Sequence, residues 1–107
     1  MNLSDSLILK ETHTALKKIY GERLAKVILY GSYSRGDQTQ ESDIDLLVVL
    51  NDTQLASGKE IRFINDSIFN ISLKHNISIS AHPVSAIRFE TEPNFFFKRI
   101  KEEGKIL

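Results

Sequence analysis

The feature that most constrains the fold is an unbroken apolar run, residues 46–50, that follows two aspartates. A strand with one face in water alternates apolar and polar residues, but the segment 43–50 is apolar at every position beyond Asp45. Such a strand is stable where both of its faces are covered. We therefore predict an interior strand over residues 43–50, in a sheet that carries helices.

Three segments have the apolar spacing of amphipathic helices. They cover approximately residues 4–20, 53–74 and 94–103. Ser4 is the expected N-cap of the first helix and Gly21 its expected end, and Asp52 or Thr53 is the expected cap of the second.

Two further segments have the patterns of strands. Residues 25–30 are a short, mostly apolar run, and residues 77–84 alternate between apolar and polar side chains. Pro83 suits the end of a strand or the edge of a sheet. The order helix, strand, loop, strand, helix, strand, helix predicts an α+β fold, a small mixed β-sheet with helices packed on it.

Length and composition narrow the class of protein. With 107 residues, the chain is expected to be a single domain over residues 1–107. Lysine plus arginine total 14, as do aspartate plus glutamate, so no net charge draws the chain to nucleic acid or to an anionic membrane. The sequence has no cysteine, no signal-peptide pattern and no membrane-length apolar stretch, which favours a cytoplasmic protein.

The polar stretch between the two predicted central strands has the most informative chemistry. Gly31 ends the first strand and lets the backbone approach a ligand closely. Ser32 then offers a hydroxyl and a backbone N–H at the start of a turn or short helix, a corner that suits phosphate oxygens. Asp43 and Asp45 stand at i and i+2, so both carboxylates point from the same face of the next strand.

Two adjacent carboxylates repel each other, and each raises the pKa of the other unless a cation lies between them. Oxygen ligands without nearby histidine or cysteine favour Mg²⁺ or Mn²⁺, and Mg²⁺ takes its remaining ligands from substrate phosphates. A glycine–serine pair alone is usually a turn, and an isolated Asp-x-Asp is usually solvated. Here Asp43 and Asp45 open an otherwise apolar strand, at a cost that a structural role does not explain. We therefore predict a nucleoside triphosphate pocket.

The motif resembles that of a known family. Gly-Ser, ten residues and Asp-x-Asp, as in Gly31-Ser32 and Asp43-Ile44-Asp45, is similar to the signature of the DNA polymerase β-like nucleotidyltransferase superfamily. The local text Gly-Ser-x-x-Arg-Gly and Ser-Asp-Ile-Asp-Leu-Leu-Val resembles the minimal nucleotidyltransferases, which are often paired with HEPN proteins in toxin–antitoxin modules. The tail, residues 92–104, is similar too. The resemblance implies a nucleotidyltransferase fold like the palm of polymerase β.

The resemblance also implies a role for each residue of the motif. Gly31 and Ser32 would hold the triphosphate of ATP or another nucleoside triphosphate. Asp43 and Asp45 would be the catalytic residues, binding the metal ions that bridge the triphosphate and stabilise charge on the attacked α-phosphate.

Two features admit two interpretations each. Arg35 either contacts a phosphate, as a nucleotide-binding residue, or pairs with Asp37 or Glu41 and holds the loop in place. The aromatic run 95–97 is interpreted as core rather than as a base-stacking platform. At helical spacing one of its three rings must point away from the core, where it could serve a partner surface.

The sequence departs from the resembled pattern at one position. Active members of that superfamily use a third carboxylate on the next strand, which binds one metal and helps to activate the attacking hydroxyl. Here no acidic residue lies between Asp66 and Glu90. By the expected register Ser80 takes the position of the third carboxylate, with Ser78 or His82 as the alternatives. His82 is interpreted as a surface histidine rather than a base.

Two functions follow as hypotheses. The first is Mg²⁺-dependent transfer of a nucleoside monophosphate, AMP from ATP, to a hydroxyl of a HEPN-type partner, which makes the chain an antitoxin. The second is a catalytically weak nucleotide-binding module that neutralises a HEPN-type ribonuclease by docking. A transferase for RNA or a small molecule is less favoured, because the chain lacks a basic surface and a substrate domain. With no second domain, the cleft should be half open, and a heteromeric partner or a homodimer would close it.

Overall fold

Five α-helices and four strands are formed by the part of the chain that this computed structural model describes, residues 2–55 and 57–107. In chain order they are α1 (Leu3–Tyr20), β1 (Leu24–Tyr30), α2 (Ser32–Arg35), β2 (Ile44–Leu50), α3 (Ser57–His75), β3 (Ile79–Ser85), α4 (Ala86–Thr91), α5 (Phe95–Glu103) and β4 (Lys105–Ile106). Within those residues, no helix combines the length and the apolar character that a membrane span needs.

The strands form one mixed sheet in the order β3-β2-β1-β4. β1 runs antiparallel to both β2 and β4, whereas β2 and β3 are parallel and are joined through α3. The predicted mixed sheet is therefore confirmed, and the apolar strand β2 is interior, as its composition requires. Pro83 lies opposite Val48 on the edge strand β3, where a missing N–H is tolerated.

The first face of the sheet is covered by α1 and α3. Every second residue of β2, from Ile44 to Leu50, points into this layer, and each of these residues is apolar. The buried aliphatic residues contributed by β1, β2 and β3 are Val27, Leu29, Ile44, Leu46, Val48, Leu50 and Ala81. The helices meet them with Leu16, Ile64, Ile68 and Ile71, at the spacing that places side chains on one helical stripe.

The second face is covered by α4 and α5. Leu47 and Val49 point to this side of β2, between Ile28 of β1 and Val84 of β3. Phe89, Phe97 and Ile100 of the two helices close this smaller core. The residues of β2 therefore alternate between two buried layers, which explains why no polar residue follows Asp45 in the strand.

The aromatic run at the start of α5 is divided between core and surface. Asn94 caps the helix by accepting the N–H groups of Phe96 and Phe97. Phe97 is buried, but Phe95 is 85% exposed and Phe96 is 45% exposed. The core interpretation is confirmed for Phe97 and is wrong for Phe95, because the helix turns successive side chains by about 100°.

The predicted ends of α1 are half right. Gly21 ends the helix with φ +55°, a conformation that glycine adopts without strain. The N-cap, however, is Asn2, whose side chain accepts the N–H of Asp5 at 2.8 Å. Ser4 lies inside the helix.

The predicted start of α3 is wrong. The helix begins at Ser57, and neither Asp52 nor Thr53 is helical. Asp52 instead accepts two hydrogen bonds, both of 3.0 Å, from the guanidinium of Arg23. This tertiary ion pair uses the carboxylate that we expected to cap the helix. Residue 56 lies outside the described part of the chain.

Candidate active site

The chain turns sharply at Gly31 and Ser32, the predicted phosphate-binding residues, where β1 ends. Gly31 has φ +75°, and its carbonyl accepts the N–H groups of Ser34 and Arg35, both at 3.1 Å, so the chain turns at once into α2. Ser32 is the first residue of this helix. The N–H groups that open a helix have no acceptor within it, so the predicted role of this turn in binding phosphate is compatible with its backbone geometry.

Gly31 lies directly against the carboxylate of Asp45. A Cβ atom at position 31 would collide with the Asp45 Oδ2 atom. A larger residue at position 31 would displace the Asp45 carboxylate, and glycine also accepts the positive φ without strain. This contact joins the two halves of the sequence motif into one site.

The two carboxylates differ in their surroundings. Asp45 is the second residue of β2 and is partly buried, whereas Asp43 lies just before the strand and is exposed. Burial and the negative charge of Asp43 raise the pKa of Asp45, while His82 and Arg35 act in the opposite direction. The ionised Asp45 is therefore destabilised by its surroundings and would be stabilised by a cation.

The donors at this point suit a hard divalent ion that also binds substrate. Asp43 and Asp45 provide carboxylate oxygens, the ligands that Mg²⁺ and Mn²⁺ prefer. No group of three or more histidine, cysteine, aspartate or glutamate side chains is placed to hold a metal among residues 2–55 and 57–107. Two protein carboxylates match the way Mg²⁺ is usually held, with its other positions filled by water and phosphate oxygens.

The register of β3 is as the sequence predicts. Ser80 lies opposite Asp45 in the parallel pair, and His82, two residues later in β3, lies opposite Leu47. The carbonyl of Ser78, which precedes β3, accepts the N–H of Ile44, the first residue of β2. Ser80 is thus the residue beside Asp45, and its Oγ atom lies 3.4 Å from Nε2 of the exposed His82.

Arg35 extends from α2 toward two acidic residues. Its Nε atom lies 3.1 Å from Asp37 Oδ2, and its Nη1 atom lies 3.6 Å from Glu103 Oε2. The expected pairing with Asp37 is confirmed, and Glu103 rather than Glu41 is the second partner. The hydroxyl of Ser34 also donates to the carbonyl of Glu103, so the end of α5 holds α2 in place.

Sequence reasoning missed the aromatic side of the site. Tyr30, the last residue of β1, lies opposite Asp45, and its ring packs edge-on against Phe96 with centroids 5.4 Å apart. Burial, with the charge of Asp45, raises the pKa of Tyr30 to about 12. Its position directly before Gly31 is the signal that could have identified it.

A cavity of about 200 Å³ opens beside the phosphate corner. Its lining consists of Tyr30, Gly31, Arg35, Phe96, Arg99, Ile100 and Glu103. A larger hollow of about 340 Å³ lies around Pro93, between α4 and α5, but neither aspartate nor the glycine corner lines it. The smaller cavity adjoins the candidate site through Gly31 and Arg35, and neither Asp43 nor Asp45 is part of its lining.

The comparisons with known proteins show the family and the fold. The family model of the nucleotidyltransferase domain matches residues 9–107. A proposed protein adenylyltransferase of Methanocaldococcus jannaschii is 36% identical to this chain over 106 residues, which are 98% of the chain and 99% of the relative. A second proposed protein adenylyltransferase of the same organism is 38% identical over 73 residues, 68% of this chain and 72% of the relative.

Two solved structures have the same fold. A crystal structure of a toxin–antitoxin with AMP-PNP superposes with a TM-score of 0.61 at 18% identity, covering 91% of this chain and 70% of that one. A mutant of the toxin–antitoxin MntA–HpeT gives a TM-score of 0.59 at 20% identity, with 92% and 70% covered.

The fold and the site define a domain of the nucleotidyl-transferring class, in which a glycine–serine corner faces paired carboxylates. The chain belongs to the nucleotidyltransferase domain family.

Proposed function

We propose that this chain binds ATP with Mg²⁺ and transfers AMP to a hydroxyl group of a partner protein. The observation that carries the proposal is the contact between Gly31 and the Asp45 carboxylate. This contact supports the proposal because a triphosphate bound at Gly31 would lie next to a divalent ion held by Asp43 and Asp45, as a metal–triphosphate complex requires.

Each residue of the site has a role in this proposal. The turn at Gly31 and Ser32 donates N–H groups and a hydroxyl to the triphosphate. Asp43 and Asp45 hold the divalent ion, Mg²⁺ or Mn²⁺, which when bound neutralises phosphate charge. Arg35 is close enough to the corner to exchange its bond to Asp37 for one to a phosphate oxygen, and Glu103 keeps it oriented.

The names of similar proteins support the choice of ATP as the nucleotide and of a protein as the acceptor. Relatives are proposed protein adenylyltransferases, and a protein of the same fold was crystallised as a toxin–antitoxin with AMP-PNP. We propose a toxin of the HEPN type as acceptor, and the cytoplasm as the place of the reaction. The exposed Asp43 leaves one side of the site open for the partner, or for a second copy of this chain.

The proposal is tested by transfer of AMP from ATP labelled on the α-phosphate to the product of a neighbouring open reading frame. Wild type should label the partner, and Asp43→Asn/Asp45→Asn should not. Asp66→Asn, which removes an exposed carboxylate from α3, is the matched control and should behave as wild type. Equal labelling by all three proteins would show that the aspartates of the motif are not the catalytic residues.

A second candidate function is a catalytically weak nucleotide-binding module that neutralises a ribonuclease by docking. The observation that favours it is Ser80, a neutral hydroxyl in register with Asp45. Under this function Ser80→Asp should raise the affinity for Mn²⁺ and speed transfer by up to the roughly 10²–10⁴-fold that base assistance provides. Transfer by wild type as fast as by Ser80→Asp would contradict it.

A further inference from the structure

A row of three side chains crosses the sheet at the candidate site. Tyr30 of β1 lies opposite Asp45 of β2, and Asp45 lies opposite Ser80 of β3. Residues paired across neighbouring strands point to the same face and are separated by about 4.8 Å between strands. Two residues that carry hydroxyl groups therefore flank Asp45, the residue that we assign to the metal.

The two hydroxyls are not equivalent. The ring of Tyr30 packs on Phe96 and the residue is partly buried, and its raised pKa keeps the hydroxyl protonated. Ser80 is on the open edge strand β3, and the exposed His82 lies on the same face with its Nε2 atom 3.4 Å from the serine Oγ. A nucleophile and a base within hydrogen-bond reach, often looser before substrate binds, is the usual arrangement for activating a serine.

We propose that Ser80 is an acceptor in its own right, and that the chain adenylylates itself there; this inference rests on the proposed function. In the step, Ser80 Oγ forms a bond to the α-phosphorus of ATP, and the bond from that phosphorus to the bridging oxygen of the β-phosphate breaks. The hydroxyl proton passes to Nε2 of His82, and pyrophosphate leaves. The product is a phosphodiester between Ser80 and AMP.

Proximity is what favours this acceptor over a hydroxyl from solution. Ser80 is already in the row with Asp45, so it pays no entropy of association, and well-oriented intramolecular reactions reach effective concentrations of about 10⁵ M or more. Such an advantage compensates for a site that has two carboxylates instead of the three that the resembled superfamily uses. The reaction ends after one turnover, because the AMP then attached to Ser80 lies beside Asp45 and blocks the site.

The experiment uses the full chain without a partner. Purified protein is incubated with Mg²⁺ and with ATP labelled on either the α- or the γ-phosphate, and its intact mass and peptides are then analysed. We expect retention of the α-label only, a mass increase of one AMP, and assignment of the AMP to Ser80. The modified protein, once separated, should bind ATP with Mg²⁺ more weakly than the unmodified protein in calorimetry.

Variants separate a nucleophile from a structural residue. Ser80→Ala should bind ATP as wild type does and stay unlabelled, while Ser80→Thr, which keeps a hydroxyl, should be labelled. Ser78→Ala, which removes the exposed hydroxyl just before β3, should still carry AMP on Ser80. His82→Asn should be labelled at least about 100-fold more slowly, the lower end of the roughly 10²–10⁴-fold range for base assistance.

The outcomes distinguish this inference from the function beneath it. A wild-type chain that binds ATP and modifies a partner, but never carries AMP on Ser80, would overturn the inference and leave the proposed function standing. AMP on any other residue, or labelling of Ser80→Ala, would overturn it too. If Asp43→Asn/Asp45→Asn binds ATP as wild type does, the proposed function itself fails.

Discussion

The two faces of the sheet are built from the same strands but differ in what covers them. The first face lies entirely under α1 and α3, which are also tied together at both ends. Tyr20 donates to Glu60 at 2.8 Å at one end, and His75 lies 2.8 Å from Glu11 at the other. The second face has two shorter helices, and its covering ends before Asp45.

The difference shows how one strand serves stability and chemistry at once. Even-numbered residues of β2 fill the first core, while the odd-numbered Leu47 and Val49 fill the second core and Asp45 opens the site. A carboxylate at position 45 is tolerated because the opposite face of the same strand is fully packed. The stability of this domain should therefore depend mainly on the first face, and nucleotide binding on the open end of the second.

The largest expected effect is loss of packing on the first face. Leu46 is fully buried, so Leu46→Ala should reduce the free energy of unfolding by about 2–5 kcal/mol. Leu73→Ala, the same change at a side chain that is 63% exposed, is the matched control and should cost little. Urea denaturation measures both. Equal losses would mean that the first face does not carry the stability.

The next effect concerns the contact that joins the corner to the carboxylate. Gly31→Ala imposes a side chain at φ +75° and drives its Cβ into Asp45, so nucleotide binding should be lost and stability should fall by about 1–3 kcal/mol. Gly36→Ala is the control, because its φ of +82° brings the same strain but its Cβ meets no atom within 4 Å. Calorimetry with ATP should show binding by Gly36→Ala; if both variants bind equally, the contact is not part of the site.

A smaller effect of opposite sign is expected for the carboxylate itself. The pKa of Asp45 is raised in the folded chain, so its ionised form costs stability above that pKa, and the cost disappears as the pH falls through it. Asp45→Asn should therefore melt at or above the temperature of wild type at pH 7, with the gain vanishing in acid. Asp52→Asn is the control, because Arg23 lowers the pKa of Asp52 and this variant should melt lower. A destabilised Asp45→Asn would make the aspartate structural.

The smallest expected effect is on the melting temperature, from the exposed contacts that Glu11 of α1 makes with the end of α3. His75 and then Lys74 lower the pKa of Glu11, so its ion pairs stabilise the fold at neutral pH and are lost as the pH falls through the lowered pKa. Glu11→Gln should lower the melting temperature slightly at pH 7, less in high salt, and not at all in strong acid. A difference that persists in acid would assign the effect to packing instead of charge.

The parts of the molecule that could be predicted depend on local patterns. The apolar run of β2 predicts its interior position, and alternation in β3 predicts that Ser80 and His82 share a face. The pairing of the strands then selects Ser80 as the residue opposite Asp45. The first two predictions follow from the period of two in a strand, which sequence displays directly. The corner at Gly31 was predictable because glycine followed by serine at the end of an apolar run favours a turn.

The parts that could not be predicted depend on contacts between distant residues or on very short elements. α4 has six residues and β4 has two, too few for a periodic pattern. The bonds from Ser34 and Arg35 to Glu103 join segments far apart in the chain, and the pairing of Asp52 with Arg23 displaced a plausible cap. Tyr30 was overlooked because a tyrosine at the end of an apolar strand resembles core.

The most direct test of the account is calorimetric titration of the full chain with ATP in the presence of Mg²⁺, on wild type, Asp43→Asn/Asp45→Asn and Asp66→Asn. The account predicts that wild type and Asp66→Asn bind with the same affinity, that binding by wild type depends on Mg²⁺, and that the double variant loses it. Mg²⁺-dependent binding of ATP by the double variant with wild-type affinity would contradict the assignment of the metal–triphosphate site to the open end of the second face.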